Sequence, residues 1–264
     1  MKPIAQMTAR EAAGVRYFLM DIDDTLTREG KLLASSYSAL WKLKEAGFRV
    51  IPITGRPAGW CDLIAREWPV DGVVGENGAL AFWEEAGSVL KTDFHPNAER
   101  NSHPVLERVK KRAFEEFPGI RLAKDQFARL FDLALDFAEE EPALPLSAAE
   151  RIKAIAEKEG AVAKISSIHV NIWMGEYDKL SMVERFLTRR FGWEADEREV
   201  VFIGDSPNDE PMFARFPLAC GVANVNRYVV YMKNFPAYVA SRECGDGFAE
   251  IAEHIINLAS RIAR

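Results

Sequence analysis

The sequence is poor in cysteine, with three among 264 residues, at positions 61, 220 and 244. None sits in a CxxC pair, so neither a zinc knuckle nor a dithiol redox centre has its ligands here. Odd in number and far apart, Cys61, Cys220 and Cys244 read as reduced, mostly buried thiols. Long apolar runs are missing too. No stretch approaches the roughly 18 consecutive apolar residues of a membrane-spanning helix, and Met1 to Val15 carries Lys2, Arg10 and Glu11 where a signal peptide would be apolar. The expected location is therefore the cytoplasm, with no membrane partner. A basic excess is also lacking. Lys plus Arg is 34 against 40 for Asp plus Glu, a formal net charge of −6, which argues against a nucleic-acid partner. No GxGxxG follows the first apolar run, which removes support for a dinucleotide-dependent oxidoreductase. There is no internal repeat or low-complexity tract.

What is present is ordinary globular composition, 48% hydrophobic and 28% charged. At roughly 100–200 residues per domain, the length allows one large domain or two modest ones. Short apolar runs end in Asp or Gly: Tyr17–Met20 before Asp21, Phe48–Ile53 before Thr54, Val73-Val74 before Gly75, and Val200–Ile203 before Gly204. A later run is Leu218–Val222. Brief continuous runs of this kind suit strands buried on both faces of a parallel sheet. Between the first two, a helix is expected, capped by Ser35 or Ser36 and stopped by Gly47. Strand, helix, strand implies a right-handed crossover and an open α/β sheet.

The pattern changes between about Phe82 and Met174. Helical stretches at about Pro104–Phe117 and Ser147–Glu159 alternate with strands at Leu130–Phe137 and Ile168–Trp173. In the last, apolar residues fall at every second position, which predicts a half-buried antiparallel strand with one polar face. The segment reads as an α+β domain inserted into the parallel-sheet domain. The expected division is a core of residues 1–82 and 175–264 around an insert of 83–174. The acidic run Glu139-Glu140-Glu141 reads as a solvated loop.

Chemistry concentrates at the strand ends. Asp21-Ile22-Asp23-Asp24-Thr25 follows the first strand, Thr54-Gly55-Arg56 the second, and Gly204-Asp205-Ser206-Pro207-Asn208-Asp209 a later one. Ligands of open α/β sheets bind beyond the carboxyl ends of the strands, where these groups converge. Carboxylates this close repel one another unless a cation compensates, and hard oxygen ligands suit magnesium. Lys179 stands just before an amphipathic stretch of Leu180, Val183, Phe186, Leu187 and Phe191. A carboxylate nucleophile, a phosphate-gripping hydroxyl and a cation are the parts that phosphoryl transfer needs.

Asp21-x-Asp23-x-Thr25, Thr54, Lys179 and Gly204-Asp205-x-x-Asn208-Asp209 resemble, in order and spacing, the motifs of the haloacid dehalogenase (HAD) superfamily. The insert between the second and third motifs resembles subfamily IIB, a group of sugar-phosphate phosphatases and phosphomannomutases. Glu76-Asn77-Gly78-Ala79, Gly221-Val222-Ala223-Asn224 and Gly245-Asp246-Gly247 are similar to recurring features of that group. The fold so implied is a Rossmann-like α/β core with an inserted α+β cap. The resemblance implies that Asp21 is the nucleophile and Asp23 the general acid and base, with magnesium held by Asp21, the Asp23 carbonyl and Asp205. It further implies that Thr54, Gly55, Arg56 and Asn77 contact phosphate or substrate. Lys179 would stabilise the developing charge, steadied by Asp209, and Asn208 would orient its neighbours. Asp24 and Ser206 stand where many relatives carry glycine; Asp24 reads as a helix cap or an outer partner of the metal.

The expected activity is magnesium-dependent hydrolysis of a small phosphorylated metabolite, a sugar phosphate, with a phosphomutase or a non-catalytic phosphometabolite-binding protein as alternatives. On the cap, Arg129, His169, Asn171, Trp173 and Glu176 are the candidates for reading the substrate, with hinges near Phe82–Glu85 and Gly175–Asp178. Oligomeric state leaves no trace in the sequence.

Overall fold

The computed structural model describes residues 1–86, 89–166 and 168–262. All the apolar runs but Val73-Val74 lie side by side in a six-stranded parallel sheet. Its order is β1 (Lys2–Pro3), β15 (Tyr238–Val239), β14 (Cys220–Gly221), β13 (Val200–Gly204), β2 (Tyr17–Met20) and β5 (Arg49–Pro52). Every residue of β2 and β13 is buried, as expected of strands covered on both faces. Alternate side chains serve the two faces. Phe18 and Met20 pack under α1 (Ala9–Ala12), α2 (Ala34–Glu45), α3 (Ala58–Glu67) and α8 (Cys244–Ile262). Tyr17 and Leu19 pack with α6 (Lys179–Phe191) and α7 (Glu210–Arg215) on the other face. From β2 the chain crosses to β5 on one side, and later to β13 on the other. The sheet order therefore reverses between β2 and β13, the crevice where open α/β sheets bind ligands. Asp21 and Asp205 follow these two strands directly.

The helix expected after the first strand is present as α2, but neither serine caps it. Its first turn has no side-chain cap. Ser36 instead donates to the Leu26 carbonyl at 2.6 Å, and Ser35 to Asp246 at 2.8 Å. Both hydroxyls tie the helix to its neighbours, a small hairpin of β3 (Thr27–Arg28) and β4 (Lys31–Leu32) and the start of α8.

Beside β5, β6 (Val73–Gly75) continues the sheet through a parallel bridge between Ile53 and Val74. It also begins an antiparallel meander with β7 (Leu80–Glu85) and β8 (Val89–Phe94). The division expected at residue 82 falls inside β7, whose residues pair with β6 on one side and β8 on the other. Asp93 of β8 binds Arg185 and Arg189 of α6, tying the meander to the core. We accordingly place the start of the inserted unit after Phe94.

That unit is an antiparallel sheet in the order β11 (Val162–Ile165), β12 (His169–Trp173), β10 (Asp132–Asp136), β9 (Arg121–Leu122). Helices α4 (Pro104–Glu116) and α5 (Leu146–Lys158) cover one face, burying Leu133, Leu135, Val170 and Ile172. The alternation read in β12 is real, but its polar face is not solvated: all five residues are buried. Trp173, on that face, sits in the hydrophobic cluster of the core, stacked on Tyr177. The polar face looks down on the parallel-sheet domain.

Candidate active site

Lys179 is placed by its own helix end. Asp178 caps α6 through the Ser181 N–H at 2.8 Å, and Ser181 returns the bond to the Asp178 N–H, a reciprocal capping pair. The turn at Gly78 packs against this end so closely that a Cβ there would lie 2.0 Å from the Asp178 carbonyl oxygen. Only glycine fits, and its φ of +107° is a second reason.

So positioned, the Lys179 ammonium lies 2.5 Å from Asp21 and 3.4 Å from Asp209. Asp21, Asp205 and Asp209 offer carboxylate oxygens that all lie within 4.8 Å of one another. Asp209 is held rigidly, because its second oxygen accepts from the backbone N–H groups of Asp205 and Ser206. Gly204 makes room for it; a Cβ there would stand 2.4 Å from that oxygen. Asp205 accepts from the Thr25 hydroxyl and the Asn224 amide, both at 3.1 Å. Asn224 also holds the Asp24 carbonyl, and Asp24 adopts a left-handed backbone (φ 57°).

The electrostatics of this group are one-sided. Burial pushes the Asp21 carboxyl up to about 7; Lys179 opposes the shift, while Asp209 and Asp23 add to it. Asp205 is raised well above the usual carboxylate range, by burial first and then by Asp209 and Asp21. Burial alone would lower Lys179, but Asp21 and Asp209 outweigh it and hold the ammonium charged. One lysine faces three buried carboxylates. A divalent cation among these hard oxygen donors would supply the missing charge, and the donor set suits magnesium.

Asp23 points away from this cluster. Arg56 grips both of its oxygens, with Nη2 to Oδ1 at 2.8 Å and Nε at 3.1 Å to each. The guanidinium lies over the Trp60 ring at 4.6 Å and reaches the cap residue Asp125 at 3.9 Å. Thr54 is fully buried at the end of β5, where its hydroxyl accepts from the Arg56 N–H. Asn77, against Gly55, leaves its buried amide Nδ2 without a partner among the described residues. Asn208 lies one turn from Asp205, its Oδ1 accepting from Ser206.

Glu76 belongs to this region and carried no expected role. It is fully buried, and its carboxylate accepts from the backbone N–H groups of Ala58 in the core and Leu130, Phe131 and Asp132 in the cap. Glu76 and Asn77 both hold left-handed φ values of 44° and 55°. Such strain costs about 1–2 kcal/mol per residue and persists where surrounding bonds impose it. Burial first, and the Asp132 charge next, push Glu76 up to about 7. Recurrence of the Glu76–Ala79 segment was the only sequence signal for it; nothing local announces a carboxylate that fastens a distant loop.

The cap residues divide differently from expectation. Arg129 is not free to read a substrate: it is bound to Asp125, Asp132 and the Gly55 carbonyl, and so rivets cap to core. Trp173 is core packing. His169 bonds Glu139 at 2.8 Å, and Glu140 pairs with Lys124, so the acidic run is not simply solvated. Glu176 is exposed, with its carbonyl bound by Asn97. Asn171 keeps a buried oxygen, Oδ1, and Trp173 its buried Nε1, without a partner among the described residues. The expected hinge at Phe82–Glu85 lies within β7, where every residue pairs with β8 and Phe82 also with β6, whereas Gly175 has the turn geometry of a connection, with φ +107°.

Comparison with known proteins agrees with this geometry. A family model described as haloacid dehalogenase-like hydrolase matches residues 18–114 and 122–251. A curated phosphoglycolate phosphatase of Methanothrix thermoacetophila is 42% identical over 60 residues, 22% of this chain and 25% of that protein. The match thus spans about a quarter of the length of that relative. Among solved structures, protein 0175 of Thermoplasma acidophilum superposes with a TM-score of 0.72 at 21% identity, covering 92% of this chain and 99% of that one. The phosphatase BT1666 of Bacteroides thetaiotaomicron gives 0.63 at 19% identity, over 95% and 98%. The HAD subclass IIB sugar phosphatase BT4131 gives 0.63 at 17% identity, over 91% and 98%. At such identities the structural likeness establishes the fold.

Proposed function

The chain belongs to the haloacid dehalogenase-like hydrolase family, and on that premise we propose that it is a magnesium-dependent phosphatase of small phosphomonoesters, of the sugar-phosphate class, working through an aspartyl-phosphate. The observation that carries this reading is the convergence of Asp21, Lys179, Asp205 and Asp209 at the point where the sheet order reverses.

Asp21 and Asp205, with the Asp23 carbonyl, would hold the magnesium. When bound it neutralises charge between nucleophile and phosphate and polarises the phosphoryl oxygens. An Asp21 oxygen attacks phosphorus in line, and the bond to the alcohol oxygen breaks as Asp23 delivers a proton to it. In the second step Asp23 takes a proton from water, the water oxygen attacks phosphorus, and the bond to Asp21 breaks to release phosphate. Lys179, fixed by Asp209, steadies the negative charge that builds in both steps. While Arg56 grips both oxygens of Asp23, neither is free to carry a proton to a leaving group. Arg56 therefore turns to the arriving phosphate, joining Thr54, Gly55 and the unpartnered Asn77 amide. Asn208 steadies the loop that carries Asp205.

Among the described residues no helix is long and apolar enough to cross a membrane. Three free, buried cysteines suit a reducing compartment, and we place the enzyme in the cytoplasm. The test is phosphate release from a broad panel of phosphate esters with and without magnesium. Steady, magnesium-dependent release is expected; none from any ester would overturn the reading, and isomerisation of a hexose phosphate without net release would make the protein a mutase.

A further inference from the structure

The row of cap side chains above the site is built around an ammonium that no carboxylate among the described residues neutralises at contact distance. Lys164 of β11 stands directly opposite Asn171 of β12, and Asn171 opposite Ala134 of β10. In β12 the flanking Val170 and Ile172 go under the cap helices, while Trp173, on the same side as Asn171, enters the core cluster. Lys164, Asn171 and Ala134 therefore share the face turned to the catalytic domain. The charges that bear on Lys164 come from the site itself, Asp178, Lys179 and Asp209, together with Lys153 on α5. Burial lowers its pKa, and among the described residues its ammonium has no hydrogen-bond partner. Beside it, the buried Asn171 Oδ1 has no partner among the described residues.

Lys164 borders a cleft of about 450 Å³ between cap and core, lined also by Lys153, Pro207, Asn208, Glu210 and Asn234. That is the size of a small-metabolite site. The one carboxylate in the lining, Glu210, is taken up by the N–H groups of Lys233 and Asn234 and the Asn234 side chain. Lys153 has only a loose partner, Glu157, at 3.7 Å. A half-buried ammonium without a partner is costly, and an anionic ligand removes that cost.

We propose that Lys164 and Asn171 form a second subsite on the cap, and that the substrate is a phosphomonoester carrying a second acidic group, a carboxylate or a further phosphate. This rests on the phosphatase reading and narrows it. The phosphate to be cleaved meets Asp21 and Lys179, the second anion meets Lys164, and a hydroxyl between them donates to Asn171 Oδ1. A neutral ester of the same length would leave Lys164 as uncompensated as it is without ligand.

Matched esters test this. Glycerol 3-phosphate against 3-phosphoglycerate isolates a carboxylate; fructose 6-phosphate against fructose 1,6-bisphosphate isolates a second phosphate. In at least one pair the acidic member should have a kcat/KM higher by about tenfold or more, the scale of one charge-assisted contact. Lys164→Met should bring that ratio to about one, and Lys164→Arg should restore most of it, a pattern that a structural role for Lys164 would not produce. Equal kcat/KM within both pairs, or a ratio untouched by Lys164→Met, overturns the subsite. Calorimetric affinities of the Asp21→Asn protein for the same pairs decide the matter without turnover. Hydrolysis without preference removes the subsite and leaves the phosphatase; preferential binding without hydrolysis of any ester does the reverse.

Discussion

Core and cap face each other with opposite charge at the site and with their polar groups satisfied to different degrees. On the core side Asp21, Asp205 and Asp209 crowd around one lysine, and nearly every oxygen has an assigned donor. On the cap side Lys164 and the Asn171 oxygen lack hydrogen-bond partners among the described residues. A group that performs the same step on every substrate is best held fixed, so its surroundings close around it. A group that reads one substrate is completed by the ligand, and without the ligand it is left unpaired. The contrast separates chemistry from recognition without any bound molecule.

The largest expected effect lies wholly on the core side. Asp21→Asn keeps size and shape but loses the nucleophile, and phosphate release should fall by about 10⁴-fold or more. Retention of even a tenth of the activity would break the contrast by showing that the rigid cluster does not perform the chemistry. Lys179→Met should follow, with a loss of about 10²–10³ in kcat that is shared by acidic and neutral esters alike. If Lys179→Met changed the preference between matched esters instead, the core would be reading substrate and the division of labour would fail.

Next comes the seam between the two regions. Glu76→Ala leaves four backbone N–H groups of core and cap without their acceptor, and should cost at least about 3 kcal/mol in urea unfolding. The acid is raised from its ordinary 4.5 to about 7 in the folded state. Between those values the folded protein holds a proton that the unfolded chain has released, so stability falls as pH rises through that window. Asp21 and Asp205 shift in the same direction, so Glu76→Gln should flatten the decline without abolishing it; an unchanged slope would show that Glu76 is not the titrating latch. The smallest effect is expected at Ser35, partly buried and bonded to Asp246. Ser35→Ala should change stability by no more than about 1 kcal/mol and leave activity as it is.

The same contrast governs what could be read from the chain alone. β2 and β13 announce themselves as apolar runs, and polar residues that follow such runs must gather at one edge of the sheet. Asp21, Thr54 and Asp205 were legible for that reason, and Lys179 through the amphipathic helix behind it. In the cap, alternation in β12 reveals two faces but not what each one meets. Trp173 and Arg129 look like ligand-reading residues in sequence; one is packing and the other a rivet, because both meet the core across a long sequence gap. Glu76 and Lys164 escaped for the same reason: a buried carboxylate bound to backbone N–H groups 54 to 56 residues away, and a lysine above a site on another domain, leave no local periodicity. Ser35 and Ser36 show a milder case, where good capping residues were drawn into tertiary bonds.

Acid-quenched turnover with a labelled phosphate ester and magnesium, followed by peptide mapping, bears most directly on the role of Asp21. Label on the peptide containing Asp21, absent from the Asp21→Asn protein, is the expected result. Phosphate release with no covalent label, or a label that survives Asp21→Asn, would contradict it.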